Sequence, residues 1–483
     1  MAFDGDGDSK LHNHFPTPSL PNTVPIILHW RFTTGGREQV SNGQEELSRA
    51  QNKLRSFQDL LSSMFLPVGY PHTVSPDYLR YQILNALQAF CNSLAGLISS
   101  RAILQGLGVG NPDATPTAAL LLSILQDISS RLTTILSAYI LGSSLHPEAK
   151  TYRILADILN DVAVVLDTIS PLLVSAGAPG LRVPLLCLSA SFKSLCGIAA
   201  GSKSAISLHF ATPLTGKGDI GDLNAKDSSK ETVLALFGML LGTALVPRLT
   251  TTWATWSSLL LLVGLHLAIN YLGVRGLVLR TFNRQRLSIA WMAYRSQSPS
   301  GACPNPSHVA SLEGIFRRAD TVRSAAHGSV IGRCSIGSSV SRVLDRPLPS
   351  ELLELFNEER FLLWFDSRSL HSSSGHYRII SRPFIHIFFK DKYTQQDQLK
   401  AWILGTEICA AVANGNEKHN EMDPLAVIRR CLDIVKTNFA DFIRSSQKVG
   451  WNTEESALIA APPTVILNAV SSNTPRYETK KAQ

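Results

Sequence analysis

No two of the seven cysteines (Cys91, Cys187, Cys196, Cys303, Cys334, Cys409 and Cys431) form a C-x-x-C pair, and their number is odd. Both absences argue against a disulfide framework and against a zinc site. Most of the seven lie in apolar helical text, where a free thiol packs as a small hydrophobe, a usage that fits a reducing compartment. The opening MAFDGDGDSKLHNHF lacks an apolar core of signal-peptide length, and its three aspartates within eight residues are unlike an Arg-rich transit peptide, so an intracellular protein is expected. There is no G-x-S-x-G elbow, no H-E-x-x-H helix and no kinase set. Gly106, Gly108 and Gly110 form G-x-G-x-G but close a helix rather than follow a strand, and Gly216-Lys217 lacks the flanking residues of a P-loop. His12 and His14 read as solvated. No catalytic group, metal site or cofactor is expected.

Charge is scarce as well. Asp, Glu, Lys and Arg make up 17% of the chain, against about 25% in an average soluble protein, while 45% is hydrophobic. The scarcity is concentrated: residues 232–274 hold 43 residues and a single charge, Arg248, where about seven would fall at the mean density. Within that window the 20 residues from Trp253 to Leu272 contain no Lys, Arg, Asp or Glu. As a helix they would span roughly 30 Å, the thickness of a bilayer core. The stretch from Val233 to Pro247 would reach roughly 22 Å and reads as a tilted, re-entrant or interfacial element. Trp253, Trp256, Tyr271 and Trp291 flank the window as interfacial aromatics would. Arg275, Arg280, Arg284, Arg286 and Arg295 follow with no acidic residue before Glu313, which assigns this end to the cytosol by the positive-inside bias. The alternative is a hairpin buried in a helical bundle, with Ser257, Ser258, His266 and Asn270 paired to neighbours. Length favours the membrane.

At 483 residues the chain is long for one core. Its net charge of +8 and pI near 9.1 fit nucleic acid or an anionic membrane surface. The arginines follow an apolar stretch instead of interleaving with aromatics, so lipid is the expected partner and nucleic acid is not.

The expected fold class is mainly α, a membrane-associated helical domain followed by a small C-terminal α+β domain. Residues 1–58 read as an N-terminal arm and short helix, with a strand or docking segment at 24–30. Helical spacing then covers 77–110, 116–141, 148–171 and 183–209 within a helical domain of residues 59–285. Thr115-Pro116 supplies an N-cap followed by proline at the first helical position. Residues 286–349, rich in Ser, Gly, Pro and Arg, read as a linker. The C-terminal domain, 350–470, has strand-like RFLLWFD and PFIHIFFK, helices at 396–413 and 425–446, and a last candidate strand at 464–470. It is expected to be soluble and separate from the membrane section. Residues 471–483 form a polar, disordered tail.

Candidate site residues come from charges at helical spacing. Asp127 and Arg131 stand four apart, and Arg153, Asp157 and Asp161 repeat at four, which places each set on one helix face. Two readings are open: structural ion pairs between packed helices, or the lining of a polar pathway in a membrane-embedded bundle. In DIGDLNAKDSSKE (residues 219–231), Asp227 or Ser228 with Glu231 resembles a capping box. Lys226, Ser228 and Ser229 there could instead contact an anion at a helix N-terminus.

Four runs carry a resemblance: FLPVGYPHTVSPDYLRYQ (residues 65–82), QGLGVGNPDAT (105–115), RILADILNDVA (153–163) and NAKDSSKET (224–232). In order and spacing they resemble the signature segments of the root UVB sensitive family, over about residues 59–285, and FLLWFD and GWNTEE are similar in kind to the family's variable tail. The resemblance implies membrane association and, in plant relatives, roles in early UV-B responses, vitamin B6 homeostasis and auxin transport, with no established catalytic activity. The matching positions are Pro67, Gly69, Pro71, Asp77, Tyr78, Gly108, Gly110, Asn111, Asp157, Asn160, Asp161, Lys226, Asp227 and Ser228, none with an assigned role. The expected function is therefore a non-enzymatic membrane protein, an adaptor or transporter-like component with a protein partner such as another family member. One alternative is a pyridoxal-phosphate-binding or metabolising protein, using Lys226 or Lys203 as Schiff-base lysine. A soluble helical scaffold is another.

Overall fold

The computed structural model describes residues 60–106, 116–142, 145–214, 216–296, 301–324, 328–337, 348–365, 382–414, 423–459 and 467. The expectations for residues 1–59, for Gly108, Gly110, Asn111 and Thr115, and for 471–483 lie outside them.

Among the described residues the first part has seven α-helices: α1 (Tyr78–Gly106), α2 (Pro116–Leu141), α3 (Ala149–Ser175), α4 (Arg182–Ala199), α5 (Lys203–Ala211), α6 (Ile220–Leu245) and α7 (Thr252–Arg275). The helix expected over 183–209 is divided into α4 and α5 by a 3-10 turn at Ala200–Ser202. Pro171 lies inside α3, which continues to Ser175. The capping box read at Asp227 is corrected: the side chain of Asp219 caps α6 by accepting from Gly221 N at 2.7 Å, eight residues earlier. The stretch from Val233 to Pro247, expected as a short element, is thus the second half of a 26-residue helix and its terminal turn. Thr251 caps α7, accepting from Ala254 N.

Among the described residues, six helical segments are long and apolar enough to cross a membrane: residues 78–106, 119–141, 149–175, 179–211, 220–248 and 252–275. The sequence singled out only one of that length. The other five were less conspicuous because polar residues interrupt them.

Helix α1 is central and packs on α3, α6 and α7, while α4 packs on α3 and α2. The α1–α6 contact is close because Gly238 and Gly242 stand four apart on the facing side of α6. A Cβ at Gly238 would lie 3.0 Å from the Phe90 carbonyl oxygen, and one at Gly242 would collide with Leu97. Small residues at this spacing let helix backbones approach. Ser93 Oγ donates to Ala235 O at 2.8 Å across the same seam.

The second part comprises β1 (Thr281–Asn283), α8 (Arg284–Ser296), α9 (Pro306–Leu312), β2 (Thr321–Arg323), β3 (Val330–Ile336), α10 (Ser350–Leu355), β4 (Phe361–Phe365), β5 (Phe384–Phe389), α11 (Gln395–Asn414), α12 (Pro424–Lys448) and β6 (Asn452–Ala457). Its main sheet has the order β2-β3-β5-β4, with β3 and β5 parallel and the other pairs antiparallel. The expected pairing of the two aromatic strands is the β4–β5 ladder, with Leu363 opposite Ile387. Of the candidate last strand only Leu467 is described, bridging Lys390.

Residues 286–349, read as a linker, instead contribute α8, α9, β2 and β3. Leu287, Trp291 and Cys334 are buried in the same core as Phe361, Trp402 and Phe442. Their small and basic neighbours masked this apolar spacing. The α+β part is also not separate from the helices. Strand β1 directly follows α7 and pairs in parallel with β6, and Asn283 Nδ2 donates to Pro147 O at 3.2 Å. Beside it Glu313 accepts from Lys150 Nζ at 2.6 Å and from Arg286 at 2.9 Å, all three side chains being buried. Burial raises the Glu313 pKa, but the charges of Arg286 and Lys150 outweigh it and hold the carboxyl below its ordinary value.

Candidate functional site

The distribution of polar and apolar side chains in the helices is inverted. On α7, His266 and Asn270 are buried at 2% and 3%, while Trp253 and Leu261 are exposed at 81% and 64%. On α1 the buried face carries Gln82, Asn85 and Gln88, and the exposed positions include Leu79, Ile83 and Leu87. On α6 Asp227 is buried while Phe237 and Leu240 are exposed. Water as the surrounding solvent would select the opposite arrangement.

The inward polar groups form a ladder between α1 and α3. Arg153 donates to Asn85 Oδ1 at 3.1 Å, Asn160 Nδ2 to Asn92 Oδ1 at 2.8 Å, and Ser99 Oγ to Asp167 Oδ2 at 3.4 Å. Each rung joins residues 68 apart in sequence, so the two helices run parallel and the rungs recur every seven residues, roughly 10 Å apart along the axis. Helix α7 runs the other way and meets α3 at the middle rung, where His266 Nδ1 lies 2.8 Å from Asp161 Oδ2.

At the near end, beside the start of α1, the ladder widens into a charge network. Asp227 accepts from Tyr78 Oη at 2.9 Å and from Gln82 Nε2 at 2.5 Å, and pairs with Lys230 at 3.0 Å. Lys230 in turn donates to Tyr78 Oη at 2.7 Å. Glu231 accepts from Asn85 Nδ2 and from Lys203 Nζ. Arg153 binds Asp157 at 3.0 Å and Tyr81 Oη at 3.3 Å. The formal charges of Asp157, Asp227 and Glu231 balance those of Arg153, Lys203 and Lys230. Three buried acceptor atoms, Gln82 Oε1, Gln88 Oε1 and Asp157 Oδ2, have no partner among the described residues, which leaves the network capacity for further donors. At the far end Lys193 reaches Asp167 at 2.5 Å, and Arg101 donates to the carbonyls of Val246 and Leu249 in the α6–α7 turn.

The structure therefore assembles some of the sequence-derived residues and not others. Asp157 and Asp227 enter the network, and Asn160 and Asp161 lie in the middle rung. Asp127 and Arg131 pair at 2.8 Å on the surface of α2, with side chains 60% and 75% exposed, outside the ladder. Lys226 donates to the Ser63 carbonyl and Ser228 is exposed, so neither reaches it. Lys203 is engaged by Glu231. Sequence reasoning overlooked Gln82, Asn85, Asn92, Lys230, Glu231 and His266 as parts of one site. The signal that could have found them is the matched seven-residue spacing, Asn85-Asn92-Ser99 against Arg153-Asn160-Asp167.

Beyond the near end a cleft of about 300 Å³ separates the helical ends from the α+β part. Asp77 lies in its wall, accepting from Ser75 Oγ at 2.6 Å, His209 Nε2 at 3.1 Å and Val278 N at 2.8 Å. Burial raises the Asp77 pKa, yet His209 and the other donors outweigh it and the carboxyl stays below its ordinary value.

Residues 51–298 match the family model described as the vitamin B6 photo-protection and homoeostasis domain. RUS family member 1 of Dictyostelium discoideum is 35% identical over 54% of this chain and 48% of its own length. Protein root UVB sensitive 3 of Arabidopsis thaliana is 33% identical over 61% of this chain and 64% of its own. Protein root UVB sensitive 2, chloroplastic, of the same plant is 24% identical over 81% of each. The chain thus spans about half of the first relative and under two thirds of the second. No solved structure matches it. With just over half the chain inside the domain that defines them, this protein belongs to the root UVB sensitive family.

Proposed function

We propose that this protein is an intracellular membrane protein whose six apolar helical segments cross the bilayer, that it is not an enzyme, and that it acts as a transporter-like component in vitamin B6 homeostasis. The observation that carries the reading is the inverted distribution of side chains: leucines outward and ionisable groups inward. Ionisable groups within a bilayer are costly and are retained where they line a pathway or pair with one another. The ladder from Tyr78 and Asp227 to Asp167 supplies such a route along α1 and α3.

Six crossings return the chain to the side on which it entered, so residues 60–77 and the α+β part share a face. Arg275, Arg280, Arg284 and Arg286 follow α7, and the positive-inside bias makes that face cytosolic. The vitamin B6 link rests on the description of the matching domain.

The test is uptake of radiolabelled pyridoxine into proteoliposomes containing the full chain. Time-dependent uptake that Arg153→Gln abolishes, with insertion intact, is the expected outcome. Insertion that resists alkaline carbonate but supports no uptake would remove transport and leave an adaptor role. Release by carbonate would remove the membrane reading altogether.

A further inference from the structure

We propose that the cleft between the near helical ends and the α+β part binds the anionic group, phosphate or carboxylate, of a small molecule with an apolar body. The proposal does not depend on transport through the helices.

Arg280 carries the argument. Arg280 lines the cleft, and its side chain has no hydrogen-bond acceptor or ion-pair partner among the described residues. The Asp77 carboxylate, also in the cleft wall, acts on it electrostatically but makes its hydrogen bonds to Ser75, His209 and the Val278 amide. A guanidinium presents five donors in a planar fork that matches phosphate or carboxylate. Its backbone is held from two sides: the Arg280 carbonyl accepts from Asn452 N at 2.9 Å, and Val278 N is bound by Asp77 two residues earlier. The backbone that carries the arginine is therefore positioned before any ligand arrives.

The rest of the cleft suits an amphiphilic ligand. Its exposed lining is mostly apolar, including Leu214, Val278 and Val449; besides Arg280 and the occupied Asp77, the polar side chains are Ser75, His209, Asn305 and Ser307. Gly450, at φ +96°, turns the chain at the end of α12 so that it closes against Leu214. A Cβ there would lie 3.1 Å from the leucine Cδ2. At about 300 Å³ the cavity is at the lower end of small-molecule sites, which run from roughly 300 to 1,000 Å³. A few polar groups on an apolar wall is the composition such sites have.

Isothermal titration calorimetry of the full chain in neutral detergent tests this, with phenyl phosphate as the probe and inorganic phosphate and benzyl alcohol as comparisons. Phenyl phosphate is expected to bind saturably and more tightly than inorganic phosphate, and benzyl alcohol not at all. Arg280→Gln should weaken phenyl phosphate by at least about tenfold. Ser307→Trp, at an exposed position, should fill the cleft and remove binding without touching the arginine. Competition by phosphatidic acid in nanodiscs would assign the anion to a lipid headgroup, and its absence to a soluble compound; both keep the site. Equal affinity for benzyl alcohol, unchanged binding in both variants, or no saturation by roughly 1 mM probe would overturn it. Failure of pyridoxine uptake leaves these outcomes unaffected.

Discussion

His266 Nδ1 on α7 lies 2.8 Å from Asp161 Oδ2 on α3, and each side chain is only 3% exposed. The pair joins antiparallel helices at the level of the Asn92–Asn160 rung. It is the point where α7, otherwise lined with leucines, is locked in rotation against the ladder. Asp161→Ala would leave the imidazole buried without its acceptor, a loss expected to cost about 1–3 kcal/mol. Asp161→Ala combined with His266→Leu should recover part of it. Thermal melts of detergent-purified protein measure both, and identical melts for single and double variants would show that the pair does not couple the helices.

Glu148, just before α3, and Glu313, which follows α9 and pairs with Lys150 of α3, should give the stability opposite pH slopes. Burial raises the Glu148 pKa from 4.5 to about 7, only partly countered by Arg286 and Arg284. Between those values the folded state binds the extra proton, so this group's contribution falls as pH rises. Glu313, held below its ordinary value, stabilises above that value and loses its contribution as pH falls through the depressed pKa. Glu148→Gln is therefore expected to raise stability above pH ~7 by roughly 1–2 kcal/mol, allowing for solvent screening at a half-buried position. It should make little difference near pH 4. A melting series across pH with and without the substitution reads this directly.

Gly238→Val should separate α6 from α1. The new side chain would press on the Phe90 carbonyl and Ser93 Cβ, each 3.0 Å from its first carbon, and overpacking of this kind costs about 1–3 kcal/mol. An added Cβ at Gly264 on α7 would meet no described atom within 4 Å outside its own stretch of helix, so Gly264→Ala serves as the tolerated control. Fluorescence-detected size-exclusion melts compare the two.

Leu261→Asp distinguishes a lipid-facing surface from a wetted one. The side chain is exposed, so on a soluble helix the change would have little effect or improve solubility. At the centre of a membrane span an aspartate costs roughly 2.5–3.5 kcal/mol of insertion free energy. A reduced inserted fraction in glycosylation mapping is the expected result, and undiminished insertion would contradict the assignment of α7 as a span.

Much of the helical part was legible because hydrophobic length is a local property. The charge-free text of α7 and the proline at the start of α2 both predict what is seen. Legibility failed where composition and context conflict. Residues 286–349 are rich in linker-like Ser, Gly and Pro, and only the burial of Trp291 and Cys334 shows that they belong to a core. Asp227 resembles a cap by its spacing to Glu231, but Asp219 is the residue whose backbone leaves the helical conformation. The ladder was visible only in half: Arg153, Asp157 and Asp161 mark a polar face of α3 without naming what it faces.

From the chain alone came the charge-free text of α7, the basic segment after it and the aromatic strands, since each depends on residues close in sequence. Tertiary structure alone decided that Asn85 meets Arg153, that His266 meets Asp161, and that Arg280 is left facing a cleft. The physical reason is that a buried charge tolerates burial only with a partner, and which partner it finds depends on helix rotation and register. Those are set by contacts such as Gly238 against Phe90, between residues nearly 150 positions apart.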